Sequence, residues 1–439
     1  MQVNARLRLN LSQYPFFSRI LQQTYENELI YSHHSDGAHD ANWVKEYEFF
    51  YNKQPHSTPY VRRIFLKRNE PRGKPAGFVD IRPVSDGSEV SESYLVPPKS
   101  LSPDNNVYLN CLGTYTEYGQ HVHCVPYIMP DSIFGMCIHG SLWIAIKVLE
   151  NLHTIERAVT IPEIQTLVRG HPYTDKEGLP FKQAARILRM SRTHAFYIQR
   201  ETPDLDDSGM LMELFAYVES GLPVIVGVST QNLPWWTGAA EQGYHSIVAI
   251  GNTIHDNKIE GFVFHDESAL PYQKLSNDAL LKAWHDPKMD VRELLVAVPP
   301  SVTLQFSDAF QEFAEMLTLM ENRGLISVNV DEIRIRPLLL MASNFVFVVY
   351  GAPSPITQLL YRVLRESDVA PSGYLWVIFW FGEHDNRNDP NAAKGFFARD
   401  ATRETDFRML FMRETKTAIY QAKGTIYQRR EDRKNRKRL

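Results

Sequence analysis

Residues Pro130-Asp131-Ser132-Ile133-Phe134-Gly135-Met136-Cys137-Ile138-His139-Gly140 carry the chain from a polar, glycine-bearing loop into a strongly apolar segment, with a thiol at the junction. Leu142, Ala145, Ile146 and Leu149 follow at i, i+3, i+4, i+7 spacing, which predicts a buried amphipathic helix over about 138–153. Cys137 then stands at the helix N-terminus, where unpaired N–H groups and the positive end of the macrodipole favour thiolate over thiol. A cysteine so placed can act as a nucleophile near neutral pH.

Two later segments supply the groups such a thiolate needs: Gly243-Tyr244-His245-Ser246-Ile247-Val248-Ala249-Ile250-Gly251 and Gly261-Phe262-Val263-Phe264-His265-Asp266. From His245 to Ile250 and from Ile259 to His265 the residues are mostly β-branched or aromatic, and the polar stretch from Asn252 to Lys258 predicts a hairpin turn. Centred on the His255–Asp256 bond, the hairpin sets residues whose numbers total 511 opposite one another, and so His245 opposite Asp266. Facing residues of an antiparallel pair have Cβ atoms about 5 Å apart, close enough for a carboxylate to orient an imidazole. Because strand neighbours point to opposite faces, the same register excludes Glu267. Each of these residue types alone is commonest in a structural role. In the order Cys, His, Asp they fill the roles of nucleophile, general base and orienter.

At these residues the chain resembles the papain-like cysteine peptidase superfamily, closest to the branch of bacteriocin leader-processing (double-glycine) peptidases. The matching parts are the helix-borne Cys137, the Ser220–Val228 segment before the histidine, the His-Ser-Ile-Val-Ala-Ile-Gly strand, and the Phe-His-Asp-Glu-Ser run, over about residues 115–275. The resemblance implies an α+β fold with a papain-like core: a helix carrying Cys137 packed against an antiparallel sheet carrying His245 and Asp266, with N- and C-terminal extensions. It also implies a thiol protease or amide hydrolase that attacks a peptide or protein substrate through a thioester. A transglutaminase-like acyltransferase would use the same thioester, and a degenerate papain-like scaffold would keep the fold as a binding module.

One position departs from the family, which commonly has a Gln shortly before the cysteine to bind the oxyanion; Asp131 stands six residues before Cys137. An ionised carboxylate cannot donate to an oxyanion. Ser132, Gln120 or a backbone amide, together with the N–H of Cys137, are the substitutes to consider. Trp235 and Trp236, in the loop leading to His245, are expected to overhang the cleft as substrate-binding side chains.

The chain of 439 residues has room for two or three domains, and 44% hydrophobic with 12% aromatic residues can fill their cores. The blocks are 1–110, a mixed α/β extension; 111–300, the peptidase-like core; 301–422, a C-terminal α/β extension; and 423–439, a basic tail. Helices are expected at 43–51, 161–169, 180–191, 306–322 and 355–366, and strands at 60–68, 76–83, 223–228, 338–350, 374–381, 395–399 and 407–412. Ser208 is the expected N-cap, and Gly221 the stop, of a further helix.

The tail has eight Lys or Arg against Glu431 and Asp432, a net of +6, leaving −10 for the rest of a chain of net charge −4. Such asymmetry points to an anionic partner or to the protein's own acidic body. No signal-peptide pattern opens the chain, and Leu338–Ala352 is too short to span a bilayer, so no membrane attachment is expected. Three cysteines in this length make no disulfide framework, which suits a cytoplasmic location. Cys111, Cys124 and Cys137 with His121, His123 and His139 lack the CxxC or HxxxH spacing of a metal site, so no metal and no cofactor are expected.

Overall fold

The computed structural model describes residues 15–38, 60–81, 90–117, 120–129, 137–152, 154–155, 159, 163–164, 167, 179–199, 207–236, 243–286, 289–290, 292–324, 333–345, 355–370, 373–382, 385–387, 389, 392–403, 405–415, 417–422, 425–430 and 437–438. It is an α+β structure of helices and antiparallel sheets. The chain divides into two compact units, one of residues 1–207, 221–254 and 260–298, the other of 208–220, 255–259 and 299–439. This differs from the block boundaries read from the sequence. Residues 1–110 group with 111–207, and all but the first residue of helix Asp207–Glu219 groups with the C-terminal unit.

The first unit is built on two sheets. One has five strands, among them Tyr60–Arg68 and Pro75–Ile81, and its last member is Tyr127–Ile128, shortly before the cysteine helix. The other has seven strands. Its path runs Gln273–Ser276, Lys258–His265, Tyr244–His255, Val224–Ser229, Glu293–Val298, His194–Gln199, with Val107–Tyr108 added beside Tyr244–His255. The central strands, Val224–Ser229 and Tyr244–His255, pair antiparallel with Gly227 opposite Ser246 and Val228 opposite His245. All six residues of Val224–Ser229 are buried, as a strand covered on both faces requires.

The cysteine helix runs Cys137–Asn151 and packs on Val224–Ser229, Glu293–Val298 and Tyr127–Ile128. Its apolar stripe, Leu142, Ala145, Ile146 and Leu149, is fully buried. The helix Phe181–Met190 lies against it.

The histidine hairpin is tighter than the sequence reading has it. Its strands end at His255 and begin again at Lys258, so the turn is the dipeptide Asp256-Asn257, with φ of 47° and 60°. Two left-handed residues make a type I′ turn, whose twist matches that of the flanking strands and which Asp and Asn tolerate. The centre therefore lies one residue later than assumed, and facing numbers total 513 in a regular hairpin of this kind. That would set Ile247, not His245, opposite position 266. The side-chain face is unchanged, because the shift in register is even.

The second unit holds a seven-stranded antiparallel meander: Arg334–Met341, Tyr374–Phe381, Gly395–Asp400, Arg408–Met412, Thr417–Ala422, Thr425–Arg430 and Lys437–Arg438. Helix Pro355–Glu366 packs with it around a core that includes Phe345, Leu360, Val363, Phe379, Phe396 and Phe411, while helix Phe306–Asn322 lies against Tyr374–Phe381 with Phe313 on Trp380 and Phe397. Two sequence expectations fail here. The apolar run 338–350 is not one strand, since the strand closes at Met341 and residues 342–345 turn helical, just where Ser343 and Asn344 interrupt the apolar pattern. The basic segment is not a separate tail either: Thr417 pairs with Arg430 and Ala422 with Thr425, so the 423 boundary falls inside a hairpin. The helix expected at 43–51 and nearly all of that at 161–169 lie outside the described residues.

Candidate active site

Cys137, His245 and Asp266 come together within the first unit. The cysteine is the first residue of its helix, and its N–H is among the first four that have no intrahelical acceptor. His245 is the second residue of its strand and is buried. Asp266 lies just past the end of the neighbouring strand, outside the ladder, and is 0% exposed.

The histidine–aspartate contact is direct, with Nε2 of His245 2.9 Å from Oδ1 of Asp266. The carboxylate is fixed by two further donors: the Ser268 N–H on Oδ1 at 2.9 Å and the Trp235 indole N–H on Oδ2 at 2.7 Å. The Trp236 ring packs on the imidazole with centroids 5.4 Å apart. Both tryptophans remain half-exposed. Trp235 clamps the aspartate and Trp236 covers the histidine, because the 3₁₀ turn Thr230–Asn232 and the Trp236 N–H to Leu233 carbonyl bond fold their loop back on itself.

With Nε2 held by Asp266, Nδ1 is the nitrogen left for the thiol. Burial pushes the Cys137 thiol up, but the hydrogen bond and charge of His245, with hydrogen bonds from the Ser246 side chain and N–H, outweigh it and bring the thiol below its ordinary value. Burial pulls the His245 imidazole down, but the Asp266 charge and hydrogen bond, helped by Cys137, lift it well above the ordinary range. Both directions favour a thiolate–imidazolium pair. Cys111 and Cys124 behave in the opposite way, since both are buried and burial alone raises their thiols.

A fourth group enters that the sequence reading excludes. Glu267 is 0% exposed, and a carboxylate oxygen of Glu267, Sγ of Cys137 and a ring nitrogen of His245 all lie within 4.8 Å of one another. The alternation argument fails because residues 267–268 form a turn, so the faces of 266 and 267 are not opposed. Ser141, one helical turn after Cys137, donates to Oε2 of Glu267 at 3.3 Å and lies 3.2 Å from the Ser246 hydroxyl. Oε1 has no hydrogen-bond partner among the described residues. Burial, with the nearby Asp266 and Cys137 charges acting against His245, raises the Glu267 carboxyl well above its ordinary value. Gly140 makes the room: a Cβ there would come within 3.1 Å of Glu267 Cγ. The sequence signals were Pro271, which ends strand character soon after His265, and glycine in the first turn of an otherwise apolar helix.

Two expected oxyanion donors cannot be placed at the site. Ser132, like Asp131, lies outside the described residues, and of Gln120 only the backbone is described, opposite Glu117 in the hairpin Gly113–Glu117/Gln120–Cys124. On that hairpin His121 and His123 are satisfied across the strand by Thr116 at 2.8 Å and Thr114 at 3.3 Å. The only group of three potential metal-ligating side chains found among the described residues is Cys137, His245 and Glu267. Among the described residues no helix is long and apolar enough to cross a membrane.

Comparison with known proteins yields no match to a family model, to a curated protein or to a solved structure.

Proposed function

We propose that the protein is a cysteine-dependent peptidase or amide hydrolase of papain-like type. The observation that carries this reading is a helix-borne cysteine whose sulfur lies within 4.8 Å of a buried imidazole, itself held at 2.9 Å by a carboxylate that two other donors fix in place. A carboxylate, an imidazole and a thiol in series are the orienter, base and nucleophile of acyl transfer.

In this mechanism the Cys137 thiolate attacks the amide carbonyl carbon. The oxyanion forms beside the free N–H of Cys137 at the helix N-terminus. The imidazolium gives its proton to the leaving amine, and a thioester remains on Sγ. His245 then takes a proton from water, hydroxide adds to the thioester, and the acid leaves as the C–S bond breaks, restoring thiolate and imidazolium. Asp266 keeps the ring turned with Nε2–H toward itself throughout, while Trp235 and Trp236 keep water from that pair.

The test is acylation with an amide-mimicking acyl probe, followed by mapping of the adduct. The expected result is selective labelling of Cys137 over Cys111 and Cys124 at neutral pH, with release of free acid; release of an amide when an amine is supplied would assign acyltransferase chemistry instead. Equal labelling of all three thiols, or none, would end the catalytic reading in favour of a binding scaffold. The substrate class, a peptide or protein, and a cytoplasmic setting suited to a free thiol are part of the same proposal.

A further inference from the structure

The Cys137, His245 and Glu267 cluster has a use that acyl transfer does not draw on. It offers one sulfur, one nitrogen and one oxygen within 4.8 Å of one another, the mixed donor set that suits a borderline divalent cation. In a tetrahedral zinc site such donors stand about 3.3–3.6 Å apart, so side-chain adjustments of about an ångström close the remaining gap.

Three further observations point at a ligand. Glu267 is 0% exposed, yet only Oε2 is bonded, to Ser141, while Oε1 is left open among the described residues. A buried acid without a donor at one oxygen is costly unless something is received there. Asp266 holds Nε2 of His245 at 2.9 Å, the carboxylate–histidine arrangement that orients a metal-binding imidazole through its other nitrogen. Cys137 is half-buried, the most accessible of the three residues, since His245 and Glu267 are buried.

We propose that Cys137, His245 and Glu267 form a three-ligand site for Zn²⁺, whose occupation reversibly silences the thiol. Coordination requires thiolate, unprotonated imidazole and ionised carboxylate; whatever protons the three groups carry pass to solvent as the ion enters, and water fills the fourth position. The site stands on the cluster alone and does not depend on the peptidase reading.

The experiment uses the full chain, reduced and stripped of metal by a chelator, titrated anaerobically with Co²⁺ as a spectroscopic stand-in for zinc. One equivalent should give a sulfur-to-cobalt charge-transfer band with four-coordinate d–d bands, both absent in Cys137→Ala, and Glu267→Gln should weaken binding at least about tenfold. Should Glu267→Gln lose its native circular dichroism, X-ray absorption of the zinc-loaded wild type decides: one sulfur at about 2.3 Å and nitrogen or oxygen ligands at about 2.0 Å are expected. No sulfur-to-cobalt band, a zinc shell without sulfur, or a folded Glu267→Gln that binds as tightly as wild type would each overturn the site. Metal binding without any acyl-thiol would retire the peptidase reading and leave this one standing; acylation without metal binding would do the reverse.

Discussion

Two buried carboxylates, one in each unit, are treated in opposite ways. Asp400, 2% exposed, accepts four hydrogen bonds: from the Thr402 N–H at 2.9 Å and hydroxyl at 2.6 Å, and from the Thr405 N–H at 2.8 Å and hydroxyl at 2.7 Å. Glu267, 0% exposed, accepts one, from Ser141, and keeps an oxygen open among the described residues. Both are acids out of water, yet only Asp400 is saturated by its own loop, the connection between two strands. The difference separates a carboxylate that builds structure from one that the fold holds ready beside a thiol and an imidazole. Asp266 combines both habits, with three donors of which one is the working imidazole.

The largest effect expected is on chemistry alone. Cys137→Ala should lower turnover by about 10⁴-fold and His245→Ala by about 10³-fold, with melting temperatures near wild type for the cysteine change. Turnover that survives in Cys137→Ala, measured on preparations freed of contaminating activity, would remove the site from the comparison. Asp400→Ala should do the converse, since it orphans four donors. A loss of about 2–4 kcal/mol in denaturant unfolding is expected, with the alkylation rate of Cys137 unchanged. An equal loss from Glu267→Ala would erase the contrast.

Asp266→Asn tests the intermediate case. Asparagine can still accept from His245 and Ser268 at Oδ1, but its NH₂ then confronts the Trp235 N–H. About a tenfold loss in the acylation rate and about 1–3 kcal/mol in stability are expected. Adding Trp235→Phe should recover part of the stability and none of the rate. A double variant no more stable than Asp266→Asn would mean that the indole bond contributes nothing.

The smallest effect has the opposite sign. Because the Glu267 carboxyl is raised in the folded state, its contribution to stability is fully present below the ordinary value near 4.5 and is lost as pH rises from there through the raised value. Glu267→Gln removes that loss. Its melting temperature at neutral pH should exceed wild type by about 2–4 °C, and its stability should fall less between pH 4 and pH 8. Thermal unfolding at several pH values checks this, and a destabilised Glu267→Gln would place Glu267 with Asp400.

Much of this was legible locally. Spacing along Leu142–Leu149 locates the cysteine helix, and the strand Tyr374–Phe381 follows from an unbroken run of aromatic and aliphatic residues. The pairing of His245 with Asp266 was reached through a turn misplaced by one residue, and it survived because the error preserved the face. Glu267 was lost to the same reasoning, since alternation holds only while the backbone stays extended and the strand ends at His265. The contacts of Trp235 with Asp266 and of Trp236 with His245 depend on a loop folding back, which no periodicity encodes.

The terminal hairpin of the second unit has a consequence for the fate of the chain in a crowded solution. Thr417–Ala422 is a short, largely apolar strand that is covered on one side by Thr425–Arg430, itself followed by Lys437–Arg438 at the sheet margin. An uncovered strand of that composition would be a template for stacking copies edge to edge. The last two strands of the sheet carry Arg429, Arg430, Lys437 and Arg438, so like charges stand where two such margins would have to meet.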